Sequence, residues 1–320
     1  MRKLAFGLAA MASVFSLAVN AQDNPLPQGT VTVVLPFAAG GPLDGVARIL
    51  VEKLAPRMGR SFVVENRLGA GGDIAAASVA KANPDGRTWF FTTDSVFTIN
   101  PHMNPTRSYD PAALSPLAIV GETILLLAVN AQKVSAKTFP ELVAASKQRE
   151  LSFGSAGIGA PGHMALEYLR AVSDIKGVHV PYRGAALALQ DLVSGQIDAS
   201  FIVSGALVPH VKSGVLRAIA VSANRRIEAL PDVPTAREAG IQDFEARFSN
   251  ILLVPANTDA AIKSYIEREV IAAAREPDFK TRLAALSTEL IATGNKEASE
   301  WITRERLRWG SIIAKNKPAQ

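Results

Sequence analysis

The sequence predicts an α/β fold of two lobes, each a mostly parallel β-sheet flanked by helices, joined by a hinge of two crossing strands. Three observations support this prediction. Apolar, strand-like runs alternate with helix-period patterns over most of the chain, which is typical of layered α/β folds. The length of 320 residues is near that of two domains, yet no low-complexity linker separates two halves. The pattern restarts at 124–129 and at 250–254, so these two apolar runs are the expected crossing strands.

The individual elements follow from the spacing of their apolar residues. In the first helical pattern, Leu43, Leu50 and Leu54 share one face with two smaller residues. Strand-like runs lie at 31–35, 61–65, 88–92, 124–129, 152–154, 177–180, 199–203, 216–221 and 250–254. Helical patterns lie at 43–57, 73–82, 139–149, 161–172, 185–194, 205–213, 258–275, 277–286 and 296–314. We therefore expect residues 28–126 with 250–320 to form the first lobe, and residues 127–249 to form the second.

The N-terminus has the pattern of a secretory signal peptide over residues 1–21. Arg2 and Lys3 form a charged segment, residues 4–19 are apolar, and small residues precede an expected cut at Ala21. The apolar run is short for a membrane span, and no second long apolar run follows it. We therefore expect a protein exported to the periplasm, with a retained N-terminal anchor as the alternative.

The composition is that of a globular protein, and it excludes several kinds of functional site. Hydrophobic residues make up 48% of the chain, which is enough for a sizeable core. The chain has no cysteine, so disulfides, thiol catalysis and cysteine-based metal sites are excluded. The formal net charge is +5 with no long Lys/Arg block, and the basic stretch 304–308 has Glu305 within it. We therefore expect no nucleic-acid partner.

The most informative stretch is the glycine-rich turn 36–44, between the strand Val31–Leu35 and the first helical pattern. A strand-to-helix turn leaves backbone N–H groups at a helix N-terminus, where an anion is favoured. Gly40 and Gly41 let a ligand approach the backbone closely. Pro42 suits the first helical turn because its missing N–H costs nothing there. An ordinary structural turn is the alternative.

A second glycine-rich turn, 154–163, has the G-x-G-x-x-G spacing at 157–162. A dinucleotide-binding fold would show an acidic residue at the end of the next strand, but that strand leads into Pro-Tyr-Arg-Gly at 181–184. We therefore expect no cofactor. The turn is better interpreted as another anion site, in which Ser155 and the N–H groups near Gly159 face a ligand.

A third glycine-rich turn, 64–73, lacks the G-K-[ST] of a nucleotide-binding P-loop. Catalytic patterns are missing as well. No two of the four histidines are four residues apart, which argues against a histidine-based metal helix, and there is no G-x-S-x-G motif. An exported chain with three turns suited to anions, and without a catalytic set, indicates a binding protein with no metal ion.

In their order and spacing these motifs resemble the periplasmic solute-binding proteins of tripartite tricarboxylate transporters, the Bug-type family. The matching segments are 36–44 with Ala47 and Arg48, then 64–72, 83–86, 109–111, 155–163, 180–184, 195–198 and 230–235. The resemblance implies the type II periplasmic-binding-protein fold, in which two lobes close on a ligand in the cleft. It also implies a small carboxylate ligand, such as a dicarboxylate or tricarboxylate, an acidic amino acid or an aromatic acid.

The resemblance implies ligand contacts from both lobes. From the first lobe it implies Phe37, Ala39, Gly41, Asp44, Thr93, Asp94 and Ser95. From the second lobe it implies Ser155, Gly159, Ala160, His163, Tyr182, Arg183, Gly184 and Ser204. Asp94 puts a negative charge in a loop expected to face an anion. It therefore either points away, pairs with a cation such as Arg183, or meets an amine on the ligand.

Three functions remain open at this point. The first is a transport receptor, expected to be a monomer, that hands its ligand to a membrane permease. The second is a sensor whose closed form contacts a membrane histidine kinase, which would share the same pocket. The third is an exported hydrolase, which would need a nucleophile and a base within hydrogen-bond reach.

Overall fold

The computed structural model describes residues 24–103, 108–242, 244 and 246–316. The strands are β1 (Val31–Leu35), β2 (Phe62–Asn66), β3 (Thr88–Thr93), β4 (Leu114–Thr123), β5 (Leu125–Asn130), β6 (Ser152–Ser155), β7 (Val178–Pro181), β8 (Ala199–Val203), β9 (Leu216–Val221), β10 (Phe248–Pro255) and β11 (Thr288–Thr293). The helices are α1 (Pro42–Met58), α2 (Asp73–Ala80), α3 (Ser95–Thr98), α4 (Asn100–Met103), α5 (Phe139–Gln148), α6 (Pro161–Val172), α7 (Ala185–Ser194), α8 (Ser204–Lys212), α9 (Ala260–Ala274), α10 (Pro277–Ala285) and α11 (Asn295–Asn316). The predicted signal peptide, residues 1–21, lies outside these ranges. Within them, no helix is both long enough and apolar enough to cross a bilayer.

The strands form two mixed sheets, ordered β11-β4-β10-β3-β1-β2 and β7-β6-β8-β5-β9. In each sheet three neighbouring strands pair in parallel, namely β2-β1-β3 and β7-β6-β8. The remaining strands pair antiparallel. The predicted two-lobed α/β architecture is confirmed. The expectation of mostly parallel sheets is corrected to mixed sheets, because β10 and β5 run antiparallel to both of their neighbours.

The chain passes from the first sheet to the second at Ile124, between β4 and β5. The N–H of Ile124 donates to the carbonyl of Ser287 at 2.8 Å, and its carbonyl accepts from the N–H of Ser204 at 3.0 Å. The first crossing is therefore hydrogen-bonded to both lobes. The return lies in the connection between β9 and β10. The runs predicted to cross form β5 and β10, each of which lies within one sheet, so the chain crosses beside these strands and not along them. The predicted lobe boundaries stay a prediction.

Helix α1 shows how the sequence positions the first glycine-rich turn. Gly41 caps the helix in an extended conformation, and Pro42 occupies its first position. The helix ends at Gly59, whose left-handed φ of 59° is the usual helix stop. Its apolar face, which includes Leu50 and Leu54, packs in a core cluster with β1 and α9. This packing fixes the turn at the end of β1.

The C-terminal helix α11 contacts both lobes. Trp301 lies in a core cluster with first-lobe residues, whereas Trp309 lies in the cluster built around β5, β6 and α6. The Trp309 ring is 5.5 Å from Tyr168 on α6 and 5.8 Å from Phe248 on β10. Although residues 250–320 were assigned to the first lobe, the last turns of α11 therefore pack in the core of the second.

Replacing Trp309 by Ala should destabilise the protein by about 3–5 kcal/mol, because the indole is fully buried and its loss leaves a cavity. Leu307→Ala is the matched control, since that side chain on the same helix is 74% exposed. We expect the control to change the free energy of unfolding by less than about 0.5 kcal/mol. Urea denaturation of both variants measures the difference. Equal, small losses would contradict the packing of α11 on the second lobe.

Candidate functional site

The turn after β1 is braced from behind by Asp44, which is 2% exposed. Its carboxylate accepts hydrogen bonds from the Gly40 N–H at 3.0 Å, from Arg48 Nε at 2.8 Å and from Asn66 Nδ2 at 3.2 Å. Burial alone would raise the pKa of this carboxyl, but these three hydrogen bonds outweigh burial and hold the pKa below its usual value. Asp44 was expected to contact the ligand. In the structure its carboxylate holds the turn in place.

The tip of this turn is open. Residues 38–40 are exposed, and Gly40 has a left-handed φ of 79° with open space where a Cβ would lie. The carbonyl of Phe37 accepts from Asn66 Nδ2 at 2.8 Å and so faces the protein. The first N–H groups of α1 have no partner within a helix. Ala39 and Gly41 therefore lie where a small anion could approach the backbone.

The loop after β3 offers hydroxyl groups but not a free carboxylate. Thr93 Oγ1 and Ser95 Oγ lie 2.7 Å apart and are hydrogen-bonded to each other. Asp94 lies between these two residues in the sequence, and it is fully buried. Its Oδ1 accepts from the Ser249 N–H at 3.2 Å and its Oδ2 from Trp301 Nε1 at 2.8 Å. Of the three alternatives for Asp94, the structure therefore shows the first, in which the side chain points away into the protein. The expected direct contact between its carboxylate and the ligand is wrong.

The surroundings of Asp94 also change its ionisation. Burial raises the pKa of this carboxyl to about 8, against the hydrogen bond from Trp301. Glu305 and Glu122 add to the rise because they are nearby acidic groups. A carboxyl with this pKa is largely protonated at neutral pH. It therefore adds little negative charge to the loop.

The turn after β6 is also held by side chains. Ser155 is fully buried, and its Oγ accepts from the Gly157 N–H at 3.1 Å and lies 2.7 Å from His179 Nε2. The N–H of Gly159 donates to His163 Nδ1 at 3.0 Å. Ala160 caps α6. Ser155 and His163 were expected to face the ligand. Instead they brace the turn from the inside.

His179 was missed by the sequence analysis. Its ring stacks on His163, with centroids 4.0 Å apart and planes 21° apart. Burial, the neighbouring His179 and Arg170 lower the pKa of His163 to about 3. Burial and Arg170 lower the pKa of His179 to about 4. Both rings are therefore neutral at physiological pH. The signal that could have pointed to His179 is the pairing of β6 with β7, because their parallel register places His179 opposite Phe153.

The segment after β7 presents one free cation. Tyr182 donates its hydroxyl to Asp191 at 2.7 Å, and burial together with that bond raises the pKa of Tyr182 to about 12. Arg183 is exposed, and its guanidinium makes no hydrogen bond or ion pair with the described residues. Gly184 caps α7 with a left-handed φ of 128° and open space around it. Of the predicted groups here, Arg183 is thus available to an acid.

Two further observations locate the meeting of the lobes. Asn100 Nδ2 donates to the carbonyl of Gly71, in the third glycine-rich turn, at 2.8 Å. A Cβ at Gly159, in the second lobe, would lie 3.3 Å from Asn100 Oδ1. Asn100 therefore bonds to one glycine-rich turn of the first lobe and lies beside one of the second, although the sequence analysis did not single it out. Ser204 begins α8 near the crossing, and its hydroxyl has no partner among the residues described.

A cavity of about 150 Å³ lies elsewhere, at the crossing between the lobes. It is lined by Glu122, Thr123, Ser222, Arg225, Arg247 and Glu289, among others. Its charges are paired, since Arg247 bonds Glu122 at 2.7 Å and Arg225 bonds Glu289 at 2.7 Å. None of the predicted site residues lines this cavity. It therefore offers no unpaired cation to a carboxylate.

The geometry does not favour a hydrolase. Ser155 Oγ and His179 Nε2 are 2.7 Å apart, which is the distance required of a nucleophile and its base. However, Ser155 is fully buried, so a substrate has no access to its hydroxyl. The low pKa of His179, about 4, also makes its imidazole a weak base at neutral pH.

Replacing Asp44 by Asn should lower the free energy of unfolding at pH 7 by about 1–3 kcal/mol, because the hydrogen bonds to a buried charge are lost. The folded-state pKa of Asp44 lies below the ordinary aspartate value of 3.8. The stabilisation is therefore present above that value and is lost as the pH falls through the folded pKa. The difference in the free energy of unfolding between wild type and variant should therefore disappear at low pH. Urea denaturation at a series of pH values measures this difference.

Asp232→Asn is the matched control for this substitution, since Asp232 is exposed and has no bonded partner among the described residues. We expect a change below about 0.5 kcal/mol. A loss at Asp44 that persists unchanged at low pH would contradict the bracing role.

Comparison with known proteins shows the family of this chain. The model of the tripartite tricarboxylate transporter family receptor matches residues 46–317. A UPF0065 protein in the TAR-I ttuE-ttuC' intergenic region of Agrobacterium vitis is 34% identical over 88% of this chain and 81% of its own length. MatC (Rpa3494) from Rhodopseudomonas palustris with bound malate is 31% identical, with a TM-score of 0.79 over 90% of this chain and 99% of that one. R. palustris Rpa4515 with adipate is 28% identical, with a TM-score of 0.83 over 91% of this chain and 98% of that one. Because the matched region covers most of its length, the chain belongs to the family of tripartite tricarboxylate transporter receptors, as its motifs indicated.

Proposed function

We propose that this receptor binds a small dicarboxylate between its lobes and delivers it to the membrane permease of a tripartite transporter. The observation that carries the proposal is the meeting of two glycine-rich turns, one from each lobe, at Asn100. Each of these turns ends at the N-terminus of a helix, α2 after the turn that holds Gly71 and α6 after the turn that holds Gly159. A ligand between them would contact main-chain N–H groups of both lobes.

The chemistry of these turns favours an anion. A helix N-terminus stabilises a nearby negative charge by about 0.3–1 kcal/mol, and by up to about 2 kcal/mol when the site is partly buried. Hydrogen bonds to a charged group contribute about 1.5–3 kcal/mol each. A few such contacts suffice for a micromolar dissociation constant, which corresponds to about −8 kcal/mol.

Two features favour a second carboxylate on the ligand. Arg183 supplies an unpaired guanidinium beside the second turn, whose Gly157 lies close to the carbonyl of Tyr182. Asp94, the acidic residue of the β3 loop, is buried and bonded elsewhere, so it does not repel an anion from the cleft. Malate and adipate, bound in the two solved relatives, each carry two carboxylates.

Ligand capture follows from the same contacts. A ligand held by both lobes stabilises the closed arrangement relative to the open one, because the open form lacks half of the contacts. The family is one of periplasmic receptors, so we place this chain in the periplasm after removal of residues 1–21. A monomer that presents its closed form to the permease is sufficient for this role.

Thermal-shift measurements on the mature protein test the ligand class. We expect a dicarboxylate of four to six carbons, at 100 times its dissociation constant, to stabilise the protein by about 2.7 kcal/mol. For a protein of this size that is a rise in melting temperature of about 5 °C or more. Monocarboxylates, acidic amino acids, aromatic acids and neutral diols are the comparison compounds. Stabilisation by none of the acids would refute the proposed function.

Replacing Arg183 by Ala should weaken dicarboxylate binding about tenfold or more, because a charge-assisted hydrogen bond contributes about 1.5–3 kcal/mol. Monocarboxylate binding should change less than threefold. The matched control is Arg237→Ala, which removes another exposed arginine of the second lobe. Isothermal titration calorimetry measures both affinities. Equal losses for the two ligand classes would make Arg183 a packing residue.

A further inference from the structure

We propose that His163 and His179 are positioning residues, and that as a stacked pair they hold the turn 157–160 in the shape in which it receives the ligand. This inference rests on the proposed function, because it gives the pair a role in the carboxylate site. Neither ring is needed to touch the ligand. Their effect is exerted through the main chain of the turn.

The contacts form a continuous chain from the rings to the turn. His179 Nε2 lies 2.7 Å from Ser155 Oγ, and that oxygen accepts from the Gly157 N–H at 3.1 Å. His163 Nδ1 accepts from the Gly159 N–H at 3.0 Å. The two rings stack with their centroids 4.0 Å apart, so they connect the contact at Ser155 with the contact at Gly159. Two N–H groups of the turn are thus fixed from the protein side, which directs the rest of the turn outward.

The hydrogen bond to Gly159 requires the ring of His163 to be neutral. The Gly159 N–H is a donor, so His163 Nδ1 must keep its lone pair, and the ring proton lies on Nε2. Protonation of Nδ1 would set one N–H against another and release Gly159. Protonation of His179 would place a positive charge against a ring only 4.0 Å away. His163 therefore holds Gly159 only while its own ring is neutral, and a stack without a positive charge also requires a neutral His179.

The surrounding charges keep the rings neutral. Arg170 on α6 raises the cost of a second positive charge near both histidines. Glu167 is the acidic group that faces them, with Oε1 3.8 Å from His163 Nε2. Its carboxylate is also paired with Arg170, so it offsets little of the burial. Burial and the charge of Arg170 together lower the pKa to about 3 for His163 and to about 4 for His179.

The pH dependence follows from the direction of these shifts. Each of the two histidines has a folded-state pKa below the ordinary histidine value of 6.5. The unfolded chain therefore binds protons that the folded chain does not, and stability falls as the pH is lowered from 6.5 toward 4. The bracing of the turn is lost below about pH 4, as the pH falls through the folded-state pKa values of about 4 for His179 and about 3 for His163. Ligand affinity should fall with it.

Four variants separate the ring contacts from the charge. His163→Phe keeps the stack but removes the acceptor for Gly159, whereas His163→Asn supplies a non-titrating acceptor near the same place. His179→Phe and His179→Gln make the same comparison at Ser155. At pH 7.5 we expect the Phe variants to bind the dicarboxylate about tenfold more weakly. The Asn and Gln variants should stay within about threefold of wild type, as should the control His210→Asn.

The pH profile gives a second readout that a merely structural role would not move. The ratio of wild-type affinity to that of the His163→Asn/His179→Gln double variant cancels the titration of the ligand itself. We expect this ratio to fall about twofold or more between pH 6.5 and pH 3, because the pKa of His163 is about 3 and that of His179 about 4. A ratio that stays constant over this range would overturn the proposal, including the case in which the Phe variants do not fold.

A ligand-free measurement separates this inference from the proposed function. The amide proton of Gly159 should exchange slowly with solvent in the wild type and in His163→Asn, and at least tenfold faster in His163→Phe. If the wild type binds no carboxylate, the proposed function fails while the exchange rates still test the bracing. If His163→Phe binds normally and keeps Gly159 protected, the bracing role is refuted and the function stands.

Discussion

A main-chain N–H group can be aimed at a ligand only when the rest of its turn is fixed, and this constraint shapes both halves of the candidate site. Ordering one flexible residue costs about 1–2 kcal/mol, and glycine has the most freedom to lose. In the first lobe the ordering is supplied by Asp44, which binds Gly40 and Arg48. In the second it is supplied by Ser155 and the paired histidines. Buried polar side chains thus preorganise exposed backbone.

A second polar network connects the first-lobe loop to the crossing. Asp94 is bonded to Ser249 on β10 and to Trp301 on α11. The guanidinium of Arg247 lies over the Trp301 ring at 4.9 Å and forms two hydrogen bonds of 2.7 Å with Glu122. Burial raises the pKa of Glu122, while Arg247 opposes the rise. The β3 loop, the neighbouring strands β4 and β10 and the C-terminal helix therefore share one buried cluster, so a change in any of them affects the others.

Much of the fold could be predicted from the sequence because strand and helix periods are local properties. The predicted spans of β1, β8, β9, α6 and α7 coincide with the observed elements. Strands β4 and β11 were missed. Pro116 interrupts the strand pattern of the first, and the polar residues Thr288 and Glu289 weaken the pattern of the second. Strand β4 pairs with β10 and with β11, and no local sequence pattern encodes these contacts.

The site was predicted in outline but not in the direction of its side chains. The glycine-rich turns could be located because glycine and proline mark strand-to-helix junctions. Whether Asp94 faces a ligand or the protein depends on Ser249 and Trp301, which follow it by 155 and 207 residues. The role of His163 likewise depends on its neighbour in space, His179. Such partners are brought together only by the tertiary structure.

The position of α11 has a mechanical consequence. Two indoles on one helix, Trp301 and Trp309, are anchored in different lobes. Eight residues of helix separate them, a rod of about 12 Å that is hard to stretch. Rotation of one lobe against the other must then bend this rod or withdraw one indole from its core. Opening of the lobes would therefore be limited by this short tether as well as by the two passages of the chain between the sheets.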